Sequence, residues 1–279
     1  MRMNESEGPG EVDLRPLSAR SVVLSLLLGT HPPELSVRDL LRAVEPLGVA
    51  GSTLRAALSR MVAAGDLRST DAVYRLSDRL LERQRRQDIA VHPETRPWDG
   101  DWEMTVVTAT GRGPAERAEL RARLTALRLA ELREGVWLRP ANLLRPRPDE
   151  LGAVARHFTT RPEESARQLA GNLWPLEPWA KTAEALLARI DATADRPADR
   201  FTVLAAVVRH LLADPVLPPE LLPADWPGPA LRAGYTSHRR ELIATVLGNP
   251  GSRQEAESRN PRQHSPGSAA GPSEGPTAE

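Results

Sequence analysis

Apolar residues recur at helical spacing in two short segments near the front of the chain. The first covers residues 18–28, stops at Gly29, and begins with Ser18, whose side chain suits an N-cap. The second follows Ser36, has Asp39 in the capping-box position, and ends at residues 46–48, which include a proline and a glycine. The pattern therefore predicts two short helices.

A third helix is predicted over residues 52–64, followed by a turn at Gly65. Its apolar positions have the spacing of one buried stripe, namely Leu54, Ala57, Leu58, Met61 and Val62. The segments LRST and AVYRL then alternate like two strands joined by a tight turn at Asp71, and a further helix starts at Ser77. Three helices followed by a hairpin predict a winged helix-turn-helix.

The polar stripe of the third helix, with two wing arginines, is the candidate DNA-binding surface. It comprises Ser52, Thr53, Arg55, Ser59, Arg60, Arg68 and Arg75. Arginine can donate two hydrogen bonds to guanine in the major groove, and hydroxyl groups near a helix start suit phosphate oxygens. For each residue alone, a solvated helix face is an equally good interpretation.

The remaining pattern predicts a small α+β domain followed by helices. Residues 102–110 and 135–140 are strand-like, whereas residues 114–132 and 148–158 have a helical pattern, which suits a ferredoxin-like arrangement. Three more helices are predicted over residues 178–195, 201–215 and 229–248, with a proline-rich segment between the last two. The predicted division is residues 1–13 disordered, 14–90 winged helix, 91–97 linker, 98–172 middle domain, 173–248 helical domain and 249–279 disordered tail.

Charge and composition narrow the function classes. The net charge is zero, but residues 14–97 hold 13 arginines and 9 acidic residues, whereas residues 98–199 hold 15 basic and 16 acidic residues. The basic excess therefore lies where a DNA-binding module needs it. The chain contains no cysteine, which excludes disulfides and fits a cytoplasmic location, and no apolar run approaches the length of a membrane span.

Several separated motifs resemble the PaaX family of bacterial repressors of phenylacetic acid degradation. They are SARSVVLSLLLG, GVAGSTLRAALSRMVAAGDL, YRLS, WDGDWEMTVV, GVWLRP and, most specific, LPPELLPADWPG. The resemblance implies a mainly helical α+β chain with a winged helix, a ferredoxin-like (Cas2-like) middle domain and a helical C-terminal domain. It also implies a homodimeric repressor that binds a double-stranded DNA operator and responds to a small-molecule effector, an acyl- or aryl-acetyl-coenzyme A in known members.

The chain departs from the family pattern at the start of the third helix and in the wing. Ala50 replaces the usual capping serine, Ala56 replaces a polar residue, and the wing turn lacks the usual arginines. The candidate effector residues lie in or beside the C-terminal signature: Trp174, Trp179, Arg209, His210 and Trp226. A packing role is the alternative interpretation for each of them.

Two other function classes compete with a regulator. The segment TGRGPAE has two of the three glycines of a dinucleotide-binding loop, but Glu116 stands in the third position, and the histidines show no metal-binding spacing, so we expect no catalytic site, metal or cofactor. A winged helix used as a protein-protein adaptor is the stronger alternative, and its binding would lack steep salt dependence.

Overall fold

The computed structural model describes residues 17–145 and 151–247, and both predicted disordered ends, residues 1–13 and 249–279, lie outside these ranges. In the described part the fold is α+β and mainly helical. The first third contains four helices and a small sheet: α1 (Ala19–Leu28), β1 (Glu34–Ser36), α2 (Val37–Val44), α3 (Gly51–Ala63), β2 (Leu67–Thr70), β3 (Val73–Leu76) and α4 (Asp78–Val91). The antiparallel strand order is β1-β3-β2.

Local signals in the sequence account for these elements. Ser18 and Ser36 cap α1 and α2, each accepting a hydrogen bond from a backbone N–H in the first turn. Gly65, with a φ of 70°, ends the turn after α3. Asp71 and Ala72 both have positive φ values, as the two central residues of a tight hairpin turn require. The predicted winged helix-turn-helix is confirmed, with β1 as a strand that the sequence pattern did not predict.

The middle part is a four-stranded antiparallel sheet with one long helix. Its elements are β4 (Trp102–Val107), α5 (Pro114–Ala126), β5 (Ala130–Arg133), β6 (Val136–Pro140) and β7 (Ala155–Thr160). The strand order is β5-β6-β4-β7, so β4 pairs on one side with β6 and on the other with β7. Taken in chain order, the first strand lies between the third and the fourth, which is the ferredoxin-like order that the sequence predicted.

Two predicted helices are wrong in part. The pattern over residues 114–132 predicts one helix, but α5 ends at Ala126, Arg128 takes a φ of 60°, and β5 follows. In residues 148–158, a turn leads into β7, and residues 146–150 lie outside the described ranges. β5 pairs with β6, which follows it directly in the chain, and β7 pairs with the distant β4. This pairing overrides the helical propensity of both segments.

The last part is helical, as predicted. It contains α6 (Ala166–Leu173), α7 (Leu176–Ala192), α8 (Pro197–Leu212) and α9 (Gly228–Leu247). The proline-rich segment forms only a single 3-10 turn, Pro219–Leu221. The short helix α6 was not predicted, although Ser165 caps it by accepting a hydrogen bond from the Gln168 N–H.

The front and the last part of the chain share one apolar core. It includes Leu27 of α1, Leu54 of α3, Val207 of α8 and Leu231 of α9, all of which are fully buried. Two helices of the front part pack directly on the C-terminal helices: α4 packs on α8, and α2 packs on α9. Movement of the C-terminal helices is therefore coupled by direct packing to the winged helix.

Buried polar contacts join all three parts. Asp214, which follows α8, accepts a hydrogen bond of 2.7 Å from Arg232 of α9, and Arg232 also donates to the Ala90 carbonyl of α4. In the middle part, the buried Arg139 donates to the amide oxygen of Asn142, and Asn142 donates to the Val216 carbonyl. Burial lowers the pKa of Arg139 to about 9, which leaves it charged at neutral pH.

Candidate nucleic-acid interface

Helix α3 presents one buried and one exposed face. Leu54, Ala57, Leu58 and Met61 are at most 1% exposed and pack into the core. The opposite face carries all five predicted polar residues in exposed positions: Ser52, Thr53, Arg55, Ser59 and Arg60. Val62, predicted as part of the buried stripe, is 38% exposed, because it lies at the edge of that stripe near the end of the helix.

The two α3 arginines are available for an external partner. Neither Arg55 nor Arg60 has an acidic partner among the residues that the structure describes. The Ser59 hydroxyl donates to the Arg55 carbonyl at 3.1 Å, so its hydrogen is already used within the helix. Ala50, the N-cap residue, provides no side-chain hydrogen bond, so the first N–H groups of α3 are open to an anion.

The predicted wing arginines are exposed but paired with acids. Arg68 donates to Asp78 at 2.6 Å, and Arg75 donates to Glu34 at 2.5 Å. Each pair neutralises the positive charge that a wing would offer to a phosphate backbone. Of α3 and the hairpin, it is therefore α3 that carries arginines without an acidic partner in the described residues.

A buried carboxylate holds the end of α3 in place. Asp66, which follows Gly65, has a side chain only 4% exposed and accepts hydrogen bonds from Arg20 of α1 and Arg79 of α4. Its backbone carbonyl also accepts the Ser77 N–H at the start of α4. The position of α3 is thus tied to α1 and to α4, and α4 packs on α8 of the C-terminal part. No local pattern in the sequence indicates this role, because the three side chains come from distant positions in the chain.

The predicted effector residues do not meet in one pocket. The Trp179 ring stacks between those of His210, at 4.4 Å, and Trp226, at 4.6 Å. Trp174 stacks instead on Trp102 of the middle part. Arg209 points elsewhere, into a cavity of about 190 Å³ between α1, α4, α8 and α9. In the described residues, these contacts favour packing for the tryptophans.

His210 is held as a neutral side chain within this stack. Burial lowers its pKa, although the hydrogen bond of its Nε2 to the Trp179 carbonyl, 2.9 Å long, favours the charged form in part. The carbonyl can only accept, so Nε2 carries the proton. Trp179 in turn donates from Nε1 to the His210 carbonyl. The two residues therefore satisfy each other.

A groove of about 570 Å³ lies beside Trp174 and Trp226. Its charged lining consists of Glu177, Glu184, Asp225 and a single cation, Lys181, which pairs with Glu177 at 2.8 Å. An excess of carboxylates repels phosphate or carboxylate groups. This groove is a poor site for an anionic effector.

Residues 17–145 and 151–247 contain no cluster of three or more His, Asp or Glu side chains that could hold a metal ion. Within the same ranges, none of the helices combines the length and the apolarity that crossing a bilayer requires.

Comparisons with known proteins give consistent matches along the chain. The family model described as PaaX-like protein matches residues 18–80, the PaaX protein central Cas2-like domain matches residues 95–159, and the PaaX-like protein C-terminal domain matches residues 176–246. A solved structure, the uncharacterized protein Rv0674 from Mycobacterium tuberculosis, is 46% identical and covers 86% of this chain and 99% of its own, with a TM-score of 0.71. None of the curated proteins compared with the chain matches it.

Proposed function

The chain belongs to the PaaX family, and we propose that it is a DNA-binding transcriptional regulator, a repressor that reads its operator with α3. The family is known for transcriptional regulation and is typically regulatory rather than enzymatic, so we assign no catalytic residue. The observation that carries the proposal is the exposed face of α3, where Arg55 and Arg60 stand without acidic partners in the described residues.

The chemistry of this face suits a DNA duplex. A major groove admits one α-helix, and an arginine donates two parallel hydrogen bonds to O6 and N7 of guanine. Ser52 and Thr53 lie in the first turn, where their hydroxyl groups and the open N–H groups of the helix can meet a phosphate. Arg55 and Arg60 supply the specific contacts, whereas Arg68 and Arg75 contribute little because their charge is neutralised locally.

The proposed regulator is a cytoplasmic homodimer. Two copies of α3 would read a pseudo-palindromic operator with half-sites about one or two helical turns apart, roughly 34 Å per turn. The effector is a small acyl- or aryl-acetyl-coenzyme A, which releases the operator by binding the DNA-incompetent state more tightly. The shared core of the front and C-terminal helices gives such a ligand a mechanical route to α3.

The test is operator binding by fluorescence anisotropy, with the DNA upstream of the coding sequence as the probe. Arg55→Ala and Arg60→Ala should each weaken binding by about 1–3 kcal/mol, or roughly 5- to 150-fold, and relax specificity at one base position. Arg189→Ala, which changes an exposed arginine on α7, is the matched control and should bind as the wild type does.

Two outcomes contradict the proposal. One is operator affinity that neither α3 substitution changes. The other is the absence of any sequence preference or steep salt dependence, which would favour a protein-protein adaptor instead.

A further inference from the structure

A large cleft lies where the three parts of the chain meet. Its volume is about 800 Å³, and its walls come from α4, from α5 and the turn after it, from the end of α8, and from Leu143, Arg145 and Leu151. A molecule in this cleft would contact the winged helix, the middle part and the C-terminal part at once. None of the residues that the sequence suggested for effector binding lines it. We call it the arginine cleft, because Arg83, Arg86 and Arg128 line it.

The described residues that line the arginine cleft do not balance its positive charge. Arg83 and Arg86 of α4 have no acidic partner in the described ranges, and the acidic side chain of the cleft, Glu82, pairs with Arg85 at 3.1 Å. Burial and then the neighbouring Arg86 keep the pKa of Arg83 below its usual range. The charges on the cleft wall therefore destabilise one another, and an anion would relieve this repulsion.

Arg128 adds a buried donor without a partner. Its Nη1 atom is buried and has no hydrogen-bond partner among the described residues, and burial lowers the pKa of Arg128 to about 10. A buried N–H group of a cation normally has an acceptor, because leaving it unpaired is unfavourable. An acceptor on a bound ligand would supply what the protein does not.

The same cleft has an apolar wall. Ile89, on the face of α4 that carries Arg86, is 57% exposed, and Leu212 at the end of α8 is 42% exposed. Leu127 lies half-buried opposite them. Large apolar side chains exposed together beside a cationic wall are typical of a ligand site with one apolar and one polar end.

We propose that the arginine cleft binds a small organic anion that carries an apolar body, and that it is the effector site of this regulator. The anionic group, a carboxylate or a phosphate ester, pairs with Arg83, Arg86 and Arg128. The apolar body covers Ile89 and Leu212. The effector role rests on the proposed function, whereas the binding does not.

The position of α4 indicates how a ligand bound in the arginine cleft affects DNA binding by α3. α4 starts directly after the wing strand β3, and Arg79 in its first turn holds Asp66 at the end of α3. Arg83 lies one helical turn beyond Arg79 on the same helix. An anion that draws Arg83 and Arg86 towards the middle part shifts α4, and the Asp66 contact transmits this shift to α3.

The experiment is isothermal titration calorimetry on the full chain without DNA. Octanoate tests a ligand with a carboxylate, and octanoyl-coenzyme A tests a ligand with phosphate groups. The comparators are 1-octanol, which lacks the anionic group, and free coenzyme A, which lacks the apolar acyl chain. At least one of the two amphipathic anions should bind, and each comparator should bind at least 10-fold more weakly, since each lacks the charged hydrogen bonds or the apolar contact.

Site variants locate the binding. Arg86→Ala and Ile89→Asp both change exposed positions on α4 and should each weaken binding at least 10-fold, the second by placing a carboxylate beside the anion. Arg189→Ala is the matched control, because Arg189 is an exposed arginine of α7 that neither lines the cleft nor pairs with a residue that lines it.

The outcomes separate this inference from the proposed function. Failure of both anions to bind, or equal binding by all three variants, overturns the arginine cleft as a site even if operator binding is intact. Binding that is lost as expected in Arg86→Ala and Ile89→Asp supports the site even if no operator is found. The effector role is overturned if the bound anion leaves operator affinity unchanged.

Discussion

Asp214 offers a sharp test of how the three parts are joined. The Asp214→Ala substitution removes a carboxylate that is 2% exposed and accepts hydrogen bonds from Arg232 and from the Val216 N–H. The side chain of Arg232 is only 15% exposed, and its Nε remains bound to the Ala90 carbonyl. The substitution therefore leaves a largely buried guanidinium without its counter-charge.

The loss in the free energy of unfolding depends on how exposed the remaining arginine is. Breaking a buried ion pair by removing one partner lowers the free energy of unfolding by about 3–5 kcal/mol. Asp66→Ala is the comparison, since Asp66 is equally buried and binds two arginines, but those side chains are 56% and 70% exposed and can return to water. We expect its effect to be smaller, about 1–2 kcal/mol.

Thermal unfolding followed by circular dichroism measures both effects. Asp214→Ala should lower Tm by roughly 6–20 °C, given about 2–4 °C per kcal/mol for a chain of this size class. The double variant Asp214→Ala with Arg232→Met should be more stable than Asp214→Ala alone, because it removes the unpaired charge. The reasoning is refuted if Asp66→Ala destabilises the protein as much as Asp214→Ala, or if the double variant is the least stable.

Two further predictions concern the wing and the tryptophan stack. Because Arg68 and Arg75 are paired with Asp78 and Glu34, Arg68→Ala and Arg75→Ala should weaken operator binding less than either α3 substitution does, measured by anisotropy; a larger loss would show that the wing is a main contact. Burial lowers the folded-state pKa of His210 below its unfolded value of about 6.5, so the stability it contributes is present above that pH and is lost as the pH falls through the folded-state pKa. Between pH 7.5 and 5.5, Tm of the wild type should fall more than Tm of His210→Gln, and equal falls would contradict this assignment.

Local sequence signals predicted the winged helix well. Each of its signals acts on residues only a few positions away, so it can be recognised in the sequence without knowledge of the fold. These signals are the caps at Ser18 and Ser36, the glycine at residue 65 and the turn at Asp71. β5 and β7 were predicted as helix because both segments have helical propensity, and it is their pairing with β6 and β4 in the folded sheet that makes them strands. Propensity alone contains no information on such pairing.

The candidate sites divide in the same way. The exposed stripe of α3 follows from periodicity within one helix, so Arg55 and Arg60 could be chosen from the sequence. The arginine cleft could not, since Arg83 and Arg128 belong to different parts of the chain and meet only after folding. The predicted effector set combined Arg209 with the tryptophans because they are close in the sequence. In the structure, Arg209 lies on a different face of α8 from His210, which stacks on Trp179.

The most direct test of the central claim is a photo-cross-linking experiment at Ala56, the exposed residue of α3 that lies beside Arg55. With a benzophenone amino acid at this position, the account predicts ultraviolet-dependent cross-links to bases within the operator, and none from the same group at the exposed Ala192 of α7. Operator binding without any cross-link from position 56, or with cross-links from position 192 instead, would contradict α3 as the DNA-reading helix.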